Sequence, residues 1–177
     1  NKLVADLDAN DFTVKMHTAG KGAARAALNA IEYARVKNGN KDKLHELAHA
    51  GFVQLDDIAR MSELGAVAEM SPALWYLDVP GIEKMRGGYK FRTLQKNQVT
   101  TVIGTDWVLM PTPNLFPALE GVLDREEDES VNLASALKMM TINGAKVTRQ
   151  DHLIGSLEKG KMATFIVLNQ NLFQIPV

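Results

Sequence analysis

The chain has 177 residues, with 20 Lys and Arg against 21 Asp and Glu, four histidines and no cysteine. That length suits one globular unit with a sizeable core, and 46% hydrophobic with 23% charged residues is ordinary globular composition rather than that of a disordered chain. Near-neutral charge excludes the basic footprint of a nucleic-acid binder, absent cysteine excludes disulfides and thiolate chemistry, and no apolar run reaches the ~18 residues of a membrane-spanning helix.

The chain opens on Asn1 rather than Met and stops directly after an apolar run, which reads as a piece of a longer protein. Lack of cysteine fits a reducing compartment, so a cytoplasmic location is expected, with a periplasmic or exported parent left open. Phe12 to His17 alternates apolar and other residues and reads as a strand ending in a polar side chain. Gly20-Lys-Gly22 leads into an alanine-rich helix to about Lys37, with Ala27, Ile31 and Ala34 at helical spacing, closed by Asn38-Gly39-Asn40. Lys43 to Ala50 is strand-like. Leu55 to Leu64 reads as a helix with Asp56 and Asp57 at its positive end and Gly65 as its stop. A third strand, Ala66 to Met70, ends at Ser71-Pro72. An irregular stretch from 73 to 97 carries Trp75, Tyr76 and Tyr89, and a fourth strand from Thr100 to Thr105 ends at Asp106. Helices follow at Leu115–Leu123 and at Asn132–Met140, the latter behind a Ser130 cap. The charge run 124–129 reads as a solvated edge, and Met162 to Leu168 as a buried strand behind the turn 158–161. Strand and helix alternate, which predicts an α/β fold of βα units on a parallel sheet.

Two of the four histidines, His17 and His49, lie at or near the C-terminal ends of these strands, as does Asp106. On an α/β barrel that rim points into the active site. Two imidazoles and a carboxylate make an N/N/O set suited to a divalent metal such as zinc, and the carboxylate can also take a proton from water. A competing motif overlaps it: His45-Glu46-Leu47-Ala48-His49 is an H-E-x-x-H pattern, which on a helix would be a zincin metallopeptidase centre with Glu63 or Glu69 as third ligand. On a strand, residues 45, 47 and 49 also share a face. The element that holds them decides between the two.

Five motifs, in order and over nearly the whole chain, resemble the amidohydrolase superfamily, and within it an amide-hydrolase branch that includes exoenzyme-regulatory proteins. Met16-His17-Thr-Ala-Gly20 resembles the strand-five metal histidine, and Glu46-Leu-Ala-His49-Ala50 the strand-six one. Ile103-Gly-Thr-Asp106-Trp107 resembles the strand-eight segment. Ala134 to Ala145 resembles the following helix and its T-x-N turn, and Ile154-Gly-Ser-Leu-Glu-Lys-Gly-Lys161-Met-Ala163 the turn leading back to a small β-sandwich. Lys21 and Thr164 stand where that family usually has Asp.

The resemblance implies the C-terminal half of a (β/α)8 TIM barrel over residues 1–150, strands five to eight, and a segment of the accessory β-sandwich over 151–177. It implies hydrolysis of an amide or cyclic-amide C–N bond in the full-length parent. His17, His49 and Asp106 would hold one or two divalent ions, zinc by preference, with Asp106 as proton shuttle. Trp75, Tyr76 and Trp107 would line the pocket for a small-molecule amide. His45, about 13 Å down the strand at ~3.3 Å per residue, is then structural, and His152 exposed. The strand-one H-x-H and the strand-four ligand do not occur in these residues. The fragment is therefore expected to bind metal weakly, to lack turnover, and to cover its raw sheet edges as a homodimer. A non-catalytic regulatory member of the same fold is the remaining alternative.

Overall fold

The structure, a computed structural model, describes residues 1–39, 42–125 and 128–175. The expected break at Asn40 and the centre of the 124–129 charge run lie outside the described residues. Four strands, β1 (Lys15–Ala19), β2 (Glu46–Gly51), β3 (Val67–Met70) and β4 (Thr101–Ile103), form one sheet in sequence order, every neighbouring pair parallel. Parallel neighbours require long crossovers. These are α2 (Lys21–Asn38), α3 (Leu55–Leu64) and, after two 3-10 turns at Pro72–Tyr76 and Ile82–Gly88, the short α4 (Phe91–Lys96). After β4 come α5 (Phe116–Leu123), α6 (Leu133–Met140) and α7 (Ile142–Val147). No helix is long and apolar enough to cross a membrane among the described residues.

Each strand splits its residues by period two. Met16, Leu47, Ala68, Met70 and Ile103 join the helix layer in one core with Leu28, Ile31, Ile58, Met61 and Phe91. The other face carries Lys15, His17, Glu46, Ala48 and Glu69, aligned by the register Lys15–Glu46 and His17–Ala48–Glu69. Glycines in the left-handed conformation end two helices, Gly39 (φ 68°) after α2 and Gly65 (φ 64°) after α3, where a side chain would be strained. Asp57 does more than complement a helix end. It is buried and takes ion pairs from Arg25 of α2 (2.8 Å) and Arg60 (3.0 Å), tying the two crossover helices together.

The last four residues of the H-E-x-x-H pattern, 46–49, lie in strand β2, so the helix a zincin requires is absent and that reading falls. Two other expectations are corrected. Asn132, not Ser130, caps α6, its side chain accepting from the Ser135 backbone N–H at 2.8 Å. Residues 162–168 form no strand: Phe165, Ile166 and Val167 stand exposed, because no partner strand among the described residues offers them a ladder. The N-terminal segment, given no element from sequence, is α1 (Lys2–Ala9), which packs on α2 through Val4, Ala5, Ala30 and Ala34.

His45 is structural, as its depth implied. It is fully buried, its Nδ1 accepts from the Val14 backbone N–H (3.0 Å), and its Nε2 therefore carries the proton and donates to Asp8 (2.9 Å). Asp8 also accepts from Asn38 (2.6 Å) and Arg35 (3.3 Å), and Lys43 donates to its backbone carbonyl. Burial alone would raise the Asp8 pKa, but the Asn38 and His45 hydrogen bonds and the Lys43 charge hold it below the ordinary carboxylate value. Burial, aided by Arg35 and Lys43, pushes the His45 pKa down against the pull of Asp8. This network fastens α1 and α2 to the N-terminal end of β2.

Candidate active site

In an all-parallel sheet the C-terminal strand ends share one side, and the chain places His17, His49 and Asp106 there, from β1, β2 and the loop after β4. The His17 and His49 rings stand 4.8 Å apart between centroids and nearly perpendicular (85°). His49 Nε2 lies 3.8 Å from Asp106 Oδ2, too long for a hydrogen bond but close enough for a shared ligand between them. His17 is exposed, His49 buried, and Asp106 half-buried. Among the described residues no group of three or more His, Asp or Glu is arranged to hold a metal ion on its own.

Local backbone explains the convergence. Thr18 donates from its buried hydroxyl to the Ala48 carbonyl (2.8 Å), clamping β1 to β2 where the register shifts between His17 and Ala19. His49 (φ 68°), Ala50 (φ 44°), Phe52 (φ 60°) and Asp106 (φ 55°) all adopt left-handed backbone without being glycine. Each such residue costs on the order of 1–3 kcal/mol and persists only where its surroundings hold it, a pattern concentrated at functional sites. The turn at His49 ends the strand's alternation and swings its ring toward Asp106. His49 Nδ1 is buried with no hydrogen-bond partner. Nε2 of the same ring is the nitrogen presented to Asp106, and two imidazoles with a carboxylate are the types zinc takes.

The aromatic residues divide. Trp107 is 61% exposed beside Asp106, and Tyr76 is also exposed, its pKa raised by burial of its hydroxyl end and by Glu120. Trp75 is core rather than pocket wall: it is 9% exposed, meets Tyr89 edge-on at 5.5 Å and lies against the backbone of Gly121 in α5. Lys21 opens α2 directly after Gly20, His152 is exposed, and Thr164 lies in the unpaired exposed segment.

Below the two histidines the same sheet face holds an ion cluster: Lys15 Nζ lies 3.4 Å from Glu69 and 4.0 Å from Glu46. Burial, with Glu69 adding repulsion, raises the Glu46 pKa despite Lys15. Sequence reasoning met Glu69 only as a zincin ligand. Its signal was a lone charge in the apolar run Ala66 to Met70, which on a buried strand must face something polar.

Comparison with known proteins places the chain in a family. Residues 1–177 match the amidohydrolase family. The chain is 25% identical over 179 residues to LONG AFTER FAR-RED 3 of Arabidopsis thaliana, which covers 93% of this chain and 31% of that protein. It is also 25% identical to an N-substituted formamide deformylase of Arthrobacter pascens, over 90% of this chain and 32% of the deformylase. Among solved structures, a metal-dependent hydrolase of Pyrococcus furiosus superposes with a TM-score of 0.75 at 23% identity, over 95% of this chain and 36% of that one. The chain thus spans about a third of the length of the curated relatives it matches.

Proposed function

This chain belongs to the amidohydrolase family, and from that premise we propose that the protein carrying it hydrolyses amide or cyclic-amide C–N bonds at a divalent-metal centre, zinc by preference. The observation that carries the reading is the approach of two strand-end imidazoles, 4.8 Å between ring centroids, with Nε2 of one 3.8 Å from the Asp106 carboxylate. In this reading β1 to β4 are strands five to eight of the barrel, and the remaining ligands come from strands that the relatives have beyond the length this chain matches. His17 and His49 would hold the metal, with Asp106 at its edge. A bound divalent ion supplies Lewis-acid polarisation and a water whose pKa falls toward about 7.

Asp106 does the proton work. Half-buried and free of hydrogen bonds from the histidines, its carboxylate accepts the proton of the attacking water and passes it to the leaving nitrogen. His49, fixed by the strained backbone at the end of β2, keeps its distance to that carboxylate. Trp107, exposed beside Asp106, and the exposed Tyr76 after β3 would offer apolar cover for the substrate. The formamide deformylase relative supports an amide as the scissile group.

The test is metal content together with turnover. The purified full-length parent should retain close to stoichiometric zinc, hydrolyse members of an N-acyl amine and lactam panel, lose activity to a chelator and regain it on zinc return. A metal-free, inactive protein would instead favour a regulatory member of the fold, a reading supported by Lys21 at the position where the family usually has Asp.

A further inference from the structure

The sheet face that carries His17 is charged where a strand interior is ordinarily apolar. Lys15, Glu46 and Glu69 all lie on it, and both carboxylates are largely buried, with 15% and 11% of their side chains exposed. Lys15 Nζ stands 3.4 Å from Glu69 Oε2 and 4.0 Å from Glu46 Oε2, so one half-exposed ammonium serves two carboxylates.

Register ties this cluster to the candidate site. Lys15 pairs with Glu46 across β1 and β2, and the next row up the same face is His17–Ala48–Glu69. Lys15 therefore lies two residues, about 7 Å, below His17, and Glu69 two strands, about 10 Å, across from it. The Glu69 carboxylate also leaves its own row. Its Oε1 reaches up to Gly104, just past β4, where a Cβ would overlap it. Gly104 is two residues before Asp106, and its N–H donates to the Met70 carbonyl at 2.8 Å, which holds the ends of β3 and β4 together. Two carboxylates against one ammonium leave one negative charge in excess, on a face whose upper end presents two imidazoles and a third carboxylate. Charge in a partly desolvated setting calls for a counter-charge, and a divalent ion at the strand ends would be the largest one nearby.

We propose that Lys15, Glu46 and Glu69 set the metal affinity of the centre through their field. The excess carboxylate charge draws a divalent ion to His17, His49 and Asp106, and Lys15 offsets part of that attraction. None of the three ligates the ion. This deepens the metal-centre reading and rests on it. It adds a requirement that the ligands do not impose: affinity must follow the charge beneath the site, with opposite signs for the cation and the anions.

Zinc affinity of the full-length parent, read by competition with a chromophoric chelator at fixed ionic strength, tests this. Across about 10 Å of partly screened protein, one unit charge should shift the affinity for a divalent ion about tenfold. Lys15→Met should therefore tighten zinc about tenfold, while Glu46→Gln and Glu69→Gln, which keep side-chain shape, should weaken it by about as much. Cobalt(II) should show the same ratios, because a field acts on the charge of the ion and not on its ligand chemistry. Lys15→Met also strips two buried carboxylates of their partner, so its Tm without metal should fall. Tighter metal binding by a less stable protein is a combination that lost packing does not produce. Should Lys15→Met not fold, the two Gln variants decide. Zinc affinity unchanged or weaker in Lys15→Met, or unchanged in both Gln variants, overturns the field while leaving the metal centre standing. A parent that takes up no zinc overturns both.

Discussion

Replacing Asp8 by Ala tests the polar network that anchors α1. Asp8 is 0% exposed and its carboxylate accepts from Asn38, His45 and Arg35 at 2.6, 2.9 and 3.3 Å, while Arg35 is itself only 7% exposed. Removing one partner of a buried ion pair costs about 3–5 kcal/mol, because the remaining charge stays desolvated. For a domain of 150–250 residues, at about 2–4 °C per kcal/mol, that predicts a Tm loss on the order of 6–20 °C. The pH dependence has a definite sign. Both Asp8 and His45 have folded pKa values below their unfolded ones, so their stabilisation is present above the unfolded values and lost as pH falls through the folded ones. The parent should therefore weaken first below the ordinary histidine pKa of about 6.5 and again below the ordinary aspartate value of about 3.9. Asp8→Ala should flatten the lower step. Urea unfolding of both proteins from pH 8 down to about pH 2 measures this. A cost under about 1 kcal/mol at pH 7 with an unchanged slope would refute the assignment of Asp8 as the anchor.

Three further outcomes follow from the geometry. In the full-length parent, Asp106→Asn should keep zinc but lower kcat on an amide by about 10²–10⁴-fold, the usual worth of a positioned proton-transfer group, in a steady-state assay. His49→Ala removes the buried imidazole and should cut zinc retention, read by elemental analysis after dialysis, by at least tenfold. Gly121→Ala would gain about 1 kcal/mol of helix propensity in α5, but its Cβ would stand 2.7 Å from the Trp75 indole. That ring is wedged against Tyr89, so overpacking of about 1–3 kcal/mol should win and lower the urea midpoint.

Local chemistry alone was enough for α2, α3 and the four strands of the sheet, but not for α4, which lies in the stretch read as irregular. Ala27, Ile31 and Ala34 repeat at helical spacing, Gly65 stops α3, and the run Ala66 to Met70 is too apolar to lie anywhere but in a buried strand. The strand-end positions of His17, His49 and Asp106 were legible for the same reason, since a parallel sheet collects its C-terminal ends on one side. Tertiary structure decided what local pattern leaves degenerate. H-E-x-x-H satisfies helix and strand periodicity alike, and only pairing with β1 and β3 made it a strand. An apolar run such as 162–168 becomes a strand only when a neighbour supplies a ladder, and none does among the described residues. Trp75 and Tyr89, on separate elements, meet edge-on at 5.5 Å only because the turn after β3 and the segment before α4 pack together. Contacts of that kind depend on the sum of the packing, which no window of neighbouring residues contains.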